Sequence, residues 1–161
     1  MKLRKLMFVQ AVMLAAIFAA CSSTPKTEDR APSNNMVVDA ANAQLAKVPI
    51  MGFPGFGTTI PMNQFDQYGE ASLTAAKGVL ASMPAGYKLQ IAGHANTTSG
   101  KSAEFLKNIS TQRAKFVHGY FVKKGLDPAK MTYVGVSDSD QDPSLTKMQN
   151  RRVTFKLVEA K

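Results

Sequence analysis

The sequence has few of the residues that crosslinking and covalent catalysis require. Its 161 residues include a single cysteine, Cys21, and two histidines, His94 and His118. One cysteine cannot form a disulfide within the chain. The chain also lacks a Gly-x-Ser-x-Gly segment, so no recognisable motif pairs a nucleophile with a base. We therefore expect a protein that is not an enzyme and that uses no cofactor, in which His94 fixes a turn by hydrogen bonding.

A concentrated basic patch is also absent. The chain carries 20 Lys and Arg residues against 11 Asp and Glu residues, a formal net charge of +9. Removal of residues 1–20 takes away three basic residues and leaves 17, for a net charge of +6. Such a charge favours anionic polymers or membrane surfaces. The basic residues are dispersed and lack interleaved aromatic residues, which argues against binding of nucleic acid.

The N-terminal apolar run, residues 6–20, is shorter than the about 20 residues that a membrane-spanning helix needs. It follows three basic residues and therefore indicates a secretory signal peptide over residues 1–20. The run ends in Phe18-Ala19-Ala20-Cys21, which resembles the lipobox of bacterial lipoproteins. This pattern predicts that Cys21 becomes an acylated N-terminus and anchors the chain to a membrane without a transmembrane helix. The alternative is an ordinary signal peptide with an incidental thiol.

A polar tether is predicted to follow the anchor. Residues 22–35, SSTPKTEDRAPSNN, contain no large apolar side chain and so cannot bury enough surface to fold. Residues 36–48 place apolar side chains at helical spacing, which predicts a short helix. We assign residues 21–47 to the lipidated cysteine and tether and residues 48–161 to one folded domain.

Hydrophobic periodicity divides the domain into six elements. The predicted order is an irregular edge strand, a helix capped by Asn63, a strand, a second helix, and two strands. The predicted ranges are residues 48–60, 63–84, 87–91, 102–124, 131–136 and 153–158. This order predicts an α/β two-layer sandwich with two main helices on one face of a small mixed sheet.

One cation lies where the pattern predicts apolar residues. Taking 100° per residue, Arg113 falls between Ile109 and Val117 on the apolar stripe of the second predicted helix. A guanidinium there is costly unless it is paired or reaches a polar site. We consider two interpretations, a binding site for an external acid at the edge of the domain and an internal salt bridge.

Two familiar motifs are approached but not completed. Ser99-Gly100-Lys101-Ser102 resembles the end of a P-loop, but Ala95 stands where that motif requires glycine. Three aspartates have EF-hand spacing, but Gln149 replaces the bidentate glutamate; they are Asp138, Asp140 and Asp142. We therefore expect neither a nucleotide site nor a metal site.

Three segments together resemble the OmpA-like peptidoglycan-binding domain, the domain found in the C-terminal part of OmpA and in Pal-type lipoproteins. They are Gly93-His94-Ala95-Asn96, Ser110-x-x-Arg113-Ala114 and Asn150-Arg151-Arg152-Val153, in that order. The resemblance covers roughly residues 50–158. It is specific because the motifs occur together at suitable separations, although each motif alone is weak.

The resemblance implies a ligand and a set of site residues. The ligand would be the stem peptide of uncrosslinked peptidoglycan, with diaminopimelate or another diamino acid. Its carboxylate would meet Arg113 and its ammonium the turn at Asn96. The resemblance also places four further residues in the site, namely His94, Thr97, Arg151 and Arg152. The two last arginines either line the cleft or clamp the edge of the sheet.

This chain departs from the family pattern at the turn. Asn96 replaces the usual aspartate, so a charge-assisted hydrogen bond becomes a neutral one and weaker binding is expected. Leu106 stands where many members carry an asparagine that contacts the ligand, and the segment between Asn96 and Arg113 is slightly longer than usual.

The expected function is that of an outer-membrane lipoprotein whose domain faces the periplasm and tethers the membrane to the cell wall. The alternative is a surface or periplasmic interaction lipoprotein, with envelope protein partners and weak or lost peptidoglycan binding. Ser22 and Ser23 after the cysteine favour sorting to the outer membrane by analogy with enteric lipoproteins. Leaflet, surface exposure and oligomeric state stay open.

Overall fold

The computed structural model describes residues 33–97 and 100–160, without the side chains of Gln67 and Tyr68. The predicted signal peptide, Cys21 and most of the predicted tether lie outside these residues. Within the described residues, three helices and three strands follow one another, with one short 3-10 helix, Pro128–Lys130. The helices are α1 (Asn34–Leu45), α2 (Met62–Ser82) and α3 (Ala103–Lys123), and the strands are β1 (Tyr87–Gly93), β2 (Met131–Gly135) and β3 (Val153–Glu159).

The sheet is small and mixed, as predicted. Its strand order is β2-β1-β3, with β1 parallel to β2 and antiparallel to β3. Helix α3 packs on β1 and β2, and α1 packs on β3 and α2. The apolar faces of the helices and of the sheet share one core, which includes Phe65 of α2, Val117 and Phe121 of α3, Ile91 of β1 and Phe155 of β3.

The predicted first strand, residues 48–60, is wrong except at one position. Ile50 forms a single antiparallel bridge with Val153, with N–O distances of 2.8 and 2.9 Å, and no regular strand continues from it. Gly52 has a φ of 94°, which leaves the extended conformation, and Pro54 has no N–H to donate to a ladder. The chain therefore turns away from the sheet and forms a loop.

Helix α1 belongs to the folded domain, so the predicted domain start at residue 48 is too late. Ala41 and Leu45 of α1 are buried in the core. The side chain of Asn42 accepts a hydrogen bond of 2.7 Å from the backbone N–H of Leu157 on β3. Asn42 thus accepts from a backbone N–H on the outer edge of β3, where the backbone of a further strand would otherwise accept it.

The two long helices begin differently. Helix α3 is capped by Ser102, whose Oγ accepts a hydrogen bond of 3.2 Å from the N–H of Phe105. The predicted cap of α2 is wrong, because Asn63 is the second residue of that helix. The residue before α2 is Pro61, which has no side-chain acceptor, and its carbonyl accepts from the N–H groups of Gln64 and Phe65.

Close backbone contact positions α3 against the carboxyl ends of β1 and β2. A Cβ added at Gly93 would lie 1.9 Å from the carbonyl oxygen of Ser110, and one added at Gly135 would lie 2.3 Å from Oγ1 of Thr111. Only glycine allows this approach. It brings Arg113, three residues beyond Ser110, to the end of β1 where the sequence predicted a site.

Candidate functional site

Arg113 is fully buried and bonded to backbone carbonyls. Its exposed fraction is 0%. Nε donates to the carbonyl of Gly57 at 2.9 Å, Nη1 to that of His94 at 2.8 Å, and Nη2 to those of Pro54 and Gly55 at 3.0 and 2.7 Å. Four of the five guanidinium N–H groups are thereby used.

Neither sequence interpretation of Arg113 describes this geometry. The guanidinium does not lie open at the edge of the domain, and its partners are carbonyls rather than an internal carboxylate. Burial, and then the positive charge of Arg151, lower the pKa of Arg113 to about 10, so it is still a cation at neutral pH. The face of Phe53 covers it, with Cζ 5.3 Å from the ring centroid. Arg113 therefore holds the loop of residues 54–57 against α3 and the end of β1.

A small cleft of about 80 Å³ lies beside this loop. Its walls are Gly55, Phe56, Ala95, Asn96, Leu106, Ile109 and Arg151. The half-buried Arg151 donates from Nε to the carbonyl of Phe53 at 2.9 Å and from Nη1 to that of Lys147 at 3.3 Å. Arg151, and not Arg113, is the cation that lines the cleft.

The turn after β1 contributes Asn96 and Thr97. Asn96 lines the cleft, and its Nδ2 donates to the carbonyl of Lys147. Thr97 is exposed, and its hydroxyl donates to Asp138 at 2.8 Å and accepts from Gln141 at 2.8 Å. The hydrogen bond from Thr97 is the main reason that the pKa of Asp138 lies below its ordinary value. Both residues therefore tie the turn to the loop that precedes β3.

His94 is buried at the end of β1, with 1% of it exposed. Its Nε2 lies 2.8 Å from Oγ1 of Thr154, and its Nδ1 lies 3.6 Å from Oδ2 of Asp140. Burial, followed by the charge of Arg152, lowers the pKa of His94 to about 4, so the ring is neutral at pH 7. This geometry agrees with the expectation that His94 fixes the turn.

Arg152 has a different position from its neighbour Arg151. It is buried, and Nη1 donates to Oδ1 of Asn150 at 2.6 Å while Nη2 donates to the carbonyl of Asp140 at 3.2 Å. The structure thus gives different positions to the two arginines for which the sequence left two alternatives. Arg151 lines the cleft, and Arg152 clamps the loop before β3.

The sequence did not indicate the exposed aromatic side chains at the rim. Phe56 and Phe105 contact each other with ring centroids 5.5 Å apart, and Nζ of Lys101 lies 5.1 Å from both centroids. Phe56 comes from the loop that was predicted as a strand. Phe105 lies in the first turn of α3 beside the apolar stripe, so periodicity gave it no role.

Two further observations concern the described residues alone. In residues 33–97 and 100–160, no three His, Cys, Asp or Glu side chains come together in a way that could hold a metal ion. Over the same residues, each helix is either too short or too polar to cross a lipid bilayer.

Comparison with known proteins gives a consistent result. The sequence profile of the OmpA family matches residues 63–153, more than half of the chain. No curated protein matches the chain significantly.

Three solved structures resemble the fold, each with a TM-score of 0.53. The OmpA-like domain of FopA1 from Francisella tularensis is 21% identical, over 69% of this chain and 73% of that one. The peptidoglycan-associated lipoprotein from Burkholderia pseudomallei is 19% identical, over 76% and 99%. The C-terminal domain of Helicobacter pylori MotB is 12% identical, over 70% and 84%. At these identities the likeness shows the fold alone.

Proposed function

Because this chain belongs to the OmpA family, we propose that it is an outer-membrane lipoprotein whose domain binds the stem peptide of peptidoglycan and tethers the membrane to the cell wall. In this proposal the domain binds its ligand non-covalently, catalyses no reaction on it and is not an enzyme. A peptidoglycan-associated lipoprotein among the structures of similar fold supports this proposal.

The observation that carries the proposal is the cleft between Arg151 and the turn at Asn96. A planar guanidinium on one wall suits a carboxylate, which it can bind through two parallel hydrogen bonds. The diaminopimelate of the stem peptide carries such a group. In this proposal Arg151 binds the carboxylate, and Asn96 contacts the ligand from the turn.

Arg113 has a positioning role in the proposal. Three of its four hydrogen bonds to carbonyls hold residues 54–57, and this segment supplies Gly55 and Phe56 to the wall of the cleft. A ligand carboxylate could reach the guanidinium only if the loop left it. We therefore assign to Arg151 the contact with the ligand carboxylate that the family resemblance assigned to Arg113.

The anchor compensates for modest affinity. We propose that residues 1–20 are removed, that Cys21 carries the acyl chains, and that the polar segment behind it is the tether. Tethering makes the encounter with the wall an intramolecular event, so a weak site is sufficient. The expected weakness comes from Asn96, because a neutral hydrogen bond contributes about 1 kcal/mol against about 1.5 to 3 kcal/mol for one to a charged group.

A second candidate function is that of an interaction lipoprotein in the periplasm or at the surface, with weak or lost wall binding. Two observations favour it. Asn96 stands in place of aspartate, and Arg113 is enclosed. In this case the fold is retained as a scaffold for a protein partner.

Co-sedimentation with purified sacculi separates the two functions. The full lipidated chain in detergent is compared with Arg151→Gln and with Lys156→Gln, which removes one charge from an exposed position of β3. We expect wild type and Lys156→Gln to sediment with sacculi and Arg151→Gln to stay largely in solution. Failure of all three proteins to sediment would support the second function, whereas equal sedimentation of all three would contradict the role of Arg151.

A further inference from the structure

The rim of the cleft carries two large apolar side chains in contact. Phe56 is 50% exposed and Phe105 is 36% exposed. Their rings meet edge to face at 70°, and Phe56 also lines the cleft with Asn96 and Arg151. A single exposed aromatic residue is ordinary, but two that touch beside a cleft indicate a contact surface. We refer to Phe56 and Phe105 as the aromatic pair.

The aromatic pair already holds an ammonium group. Nζ of Lys101 lies 5.1 Å from the centroids of both rings. The electron-rich faces of aromatic rings attract cations at this distance. Among the ion pairs of residues 33–97 and 100–160, none includes Lys101, so the rings are the partners that the structure gives to its charge.

We infer that the aromatic pair is a binding site for the ammonium group of a ligand, which takes the place of Nζ of Lys101. The inference rests on the proposed function, in which the ligand carries both a carboxylate and an ammonium on one diamino acid. Arg151 receives the carboxylate, and the aromatic pair receives the ammonium at the rim of the same cleft.

This arrangement explains how the chain can bind a diamino acid with Asn96 at the turn. An aspartate would attract the ammonium through opposite charge, whereas an asparagine has no charge to offer. Two ring faces supply part of that attraction without a carboxylate. The site therefore selects a stem peptide with a free side-chain amine over one whose amine is acylated, as it is in crosslinked wall.

Titration calorimetry with two peptides tests the inference. The probes are L-Ala-γ-D-Glu-meso-diaminopimelate and the same peptide with the side-chain amine acetylated, added to the full lipidated chain in detergent. Phe56→Leu keeps an apolar side chain and removes the ring, and Phe56→Tyr restores a ring. We expect Phe56→Leu to weaken binding of the free-amine peptide by about threefold and Phe56→Tyr to retain wild-type affinity.

Lys101→Ala should change the affinity for the free-amine peptide in the opposite direction from Phe56→Leu. Removal of the internal competitor should strengthen binding of the free-amine peptide by about twofold to fivefold. The acetylated peptide should bind equally to wild type and Lys101→Ala, and Phe56→Leu should weaken its binding less than it weakens that of the free-amine peptide. Phe105→Leu should repeat the effect of Phe56→Leu from α3, and circular dichroism checks that each variant is folded.

Three results would overturn the inference while wild type binds the peptide. They are unchanged affinity in both leucine variants, equal losses with the acetylated peptide, and weaker binding by Lys101→Ala. If wild type binds neither peptide and does not sediment with sacculi, the proposed function fails and the inference fails with it.

Discussion

Replacement of Arg113 by methionine should cost stability rather than only ligand affinity. The variant removes the donors from four carbonyls, three of them on the loop of residues 54–57. Each hydrogen bond to a charged group contributes about 1.5 to 3 kcal/mol, but the loop can open and expose its carbonyls to water, so the four do not add. We expect a loss of about 3 to 5 kcal/mol in the free energy of unfolding, as for other broken buried polar networks. Arg113→Lys keeps the charge and should lose about half as much.

Urea unfolding followed by circular dichroism measures this loss at neutral pH. Lys115→Met is the matched control, because Lys115 is an exposed cation on the same helix and its replacement should change stability by less than about 0.5 kcal/mol. Hydrogen exchange at the N–H of Gly57, which donates to the carbonyl of Pro54 at 3.1 Å, reports the opening of the loop. A stable Arg113→Met with a protected Gly57 and lost sacculus binding would refute the reasoning, because it would make Arg113 a ligand contact.

Three further predictions concern the fold around the site. Since the folded pKa of His94, about 4, lies below its ordinary value of 6.5, the unfolded chain binds more protons between these values. The contribution of His94 to the free energy of unfolding should therefore be fully present above about pH 6.5 and fall by about 3 kcal/mol towards pH 4. In urea titrations at several pH values, His94→Gln should show a smaller dependence of this free energy on pH. Gly93→Ala should cost at least about 3 kcal/mol or prevent folding, because its Cβ would meet a backbone carbonyl. At Gly78, an added Cβ would meet nothing within 4 Å apart from the neighbouring residues and backbone of its own helix, so Gly78→Ala should stabilise α2 by up to about 1 kcal/mol in thermal unfolding. Asn42→Ala should cost about 1 to 2 kcal/mol by leaving the N–H of Leu157 without its acceptor; no change in the urea midpoint would mean that α1 is dispensable to the domain.

Elements with a clear period could be predicted from the sequence, and irregular backbone could not. The stripe on α3 and the alternation in β1 and β3 reflect burial on one face, which repeats along the chain. The segment at Pro54 has no period. Its structure depends on carbonyls that converge on Arg113, a residue more than 50 positions away.

Arg113 itself was recognised as an anomaly, but its partners were not. A charge on an apolar stripe shows that some compensation must exist, and backbone carbonyls leave no signature in the sequence because every residue has one. The aromatic pair was missed for a related reason. Phe56 and Phe105 meet only after the loop folds over α3, and neither side chain is unusual in its own segment.

The most direct test of the central claim combines a change in the protein with a change in the ligand. Binding of the stem peptide, with its diaminopimelate carboxylate either free or amidated, is measured by calorimetry on wild type and on Arg151→Gln. If Arg151 binds that carboxylate, amidation should weaken binding to wild type by about tenfold or more and change binding to Arg151→Gln by less than about twofold. An equal penalty for amidation in both proteins would contradict the account.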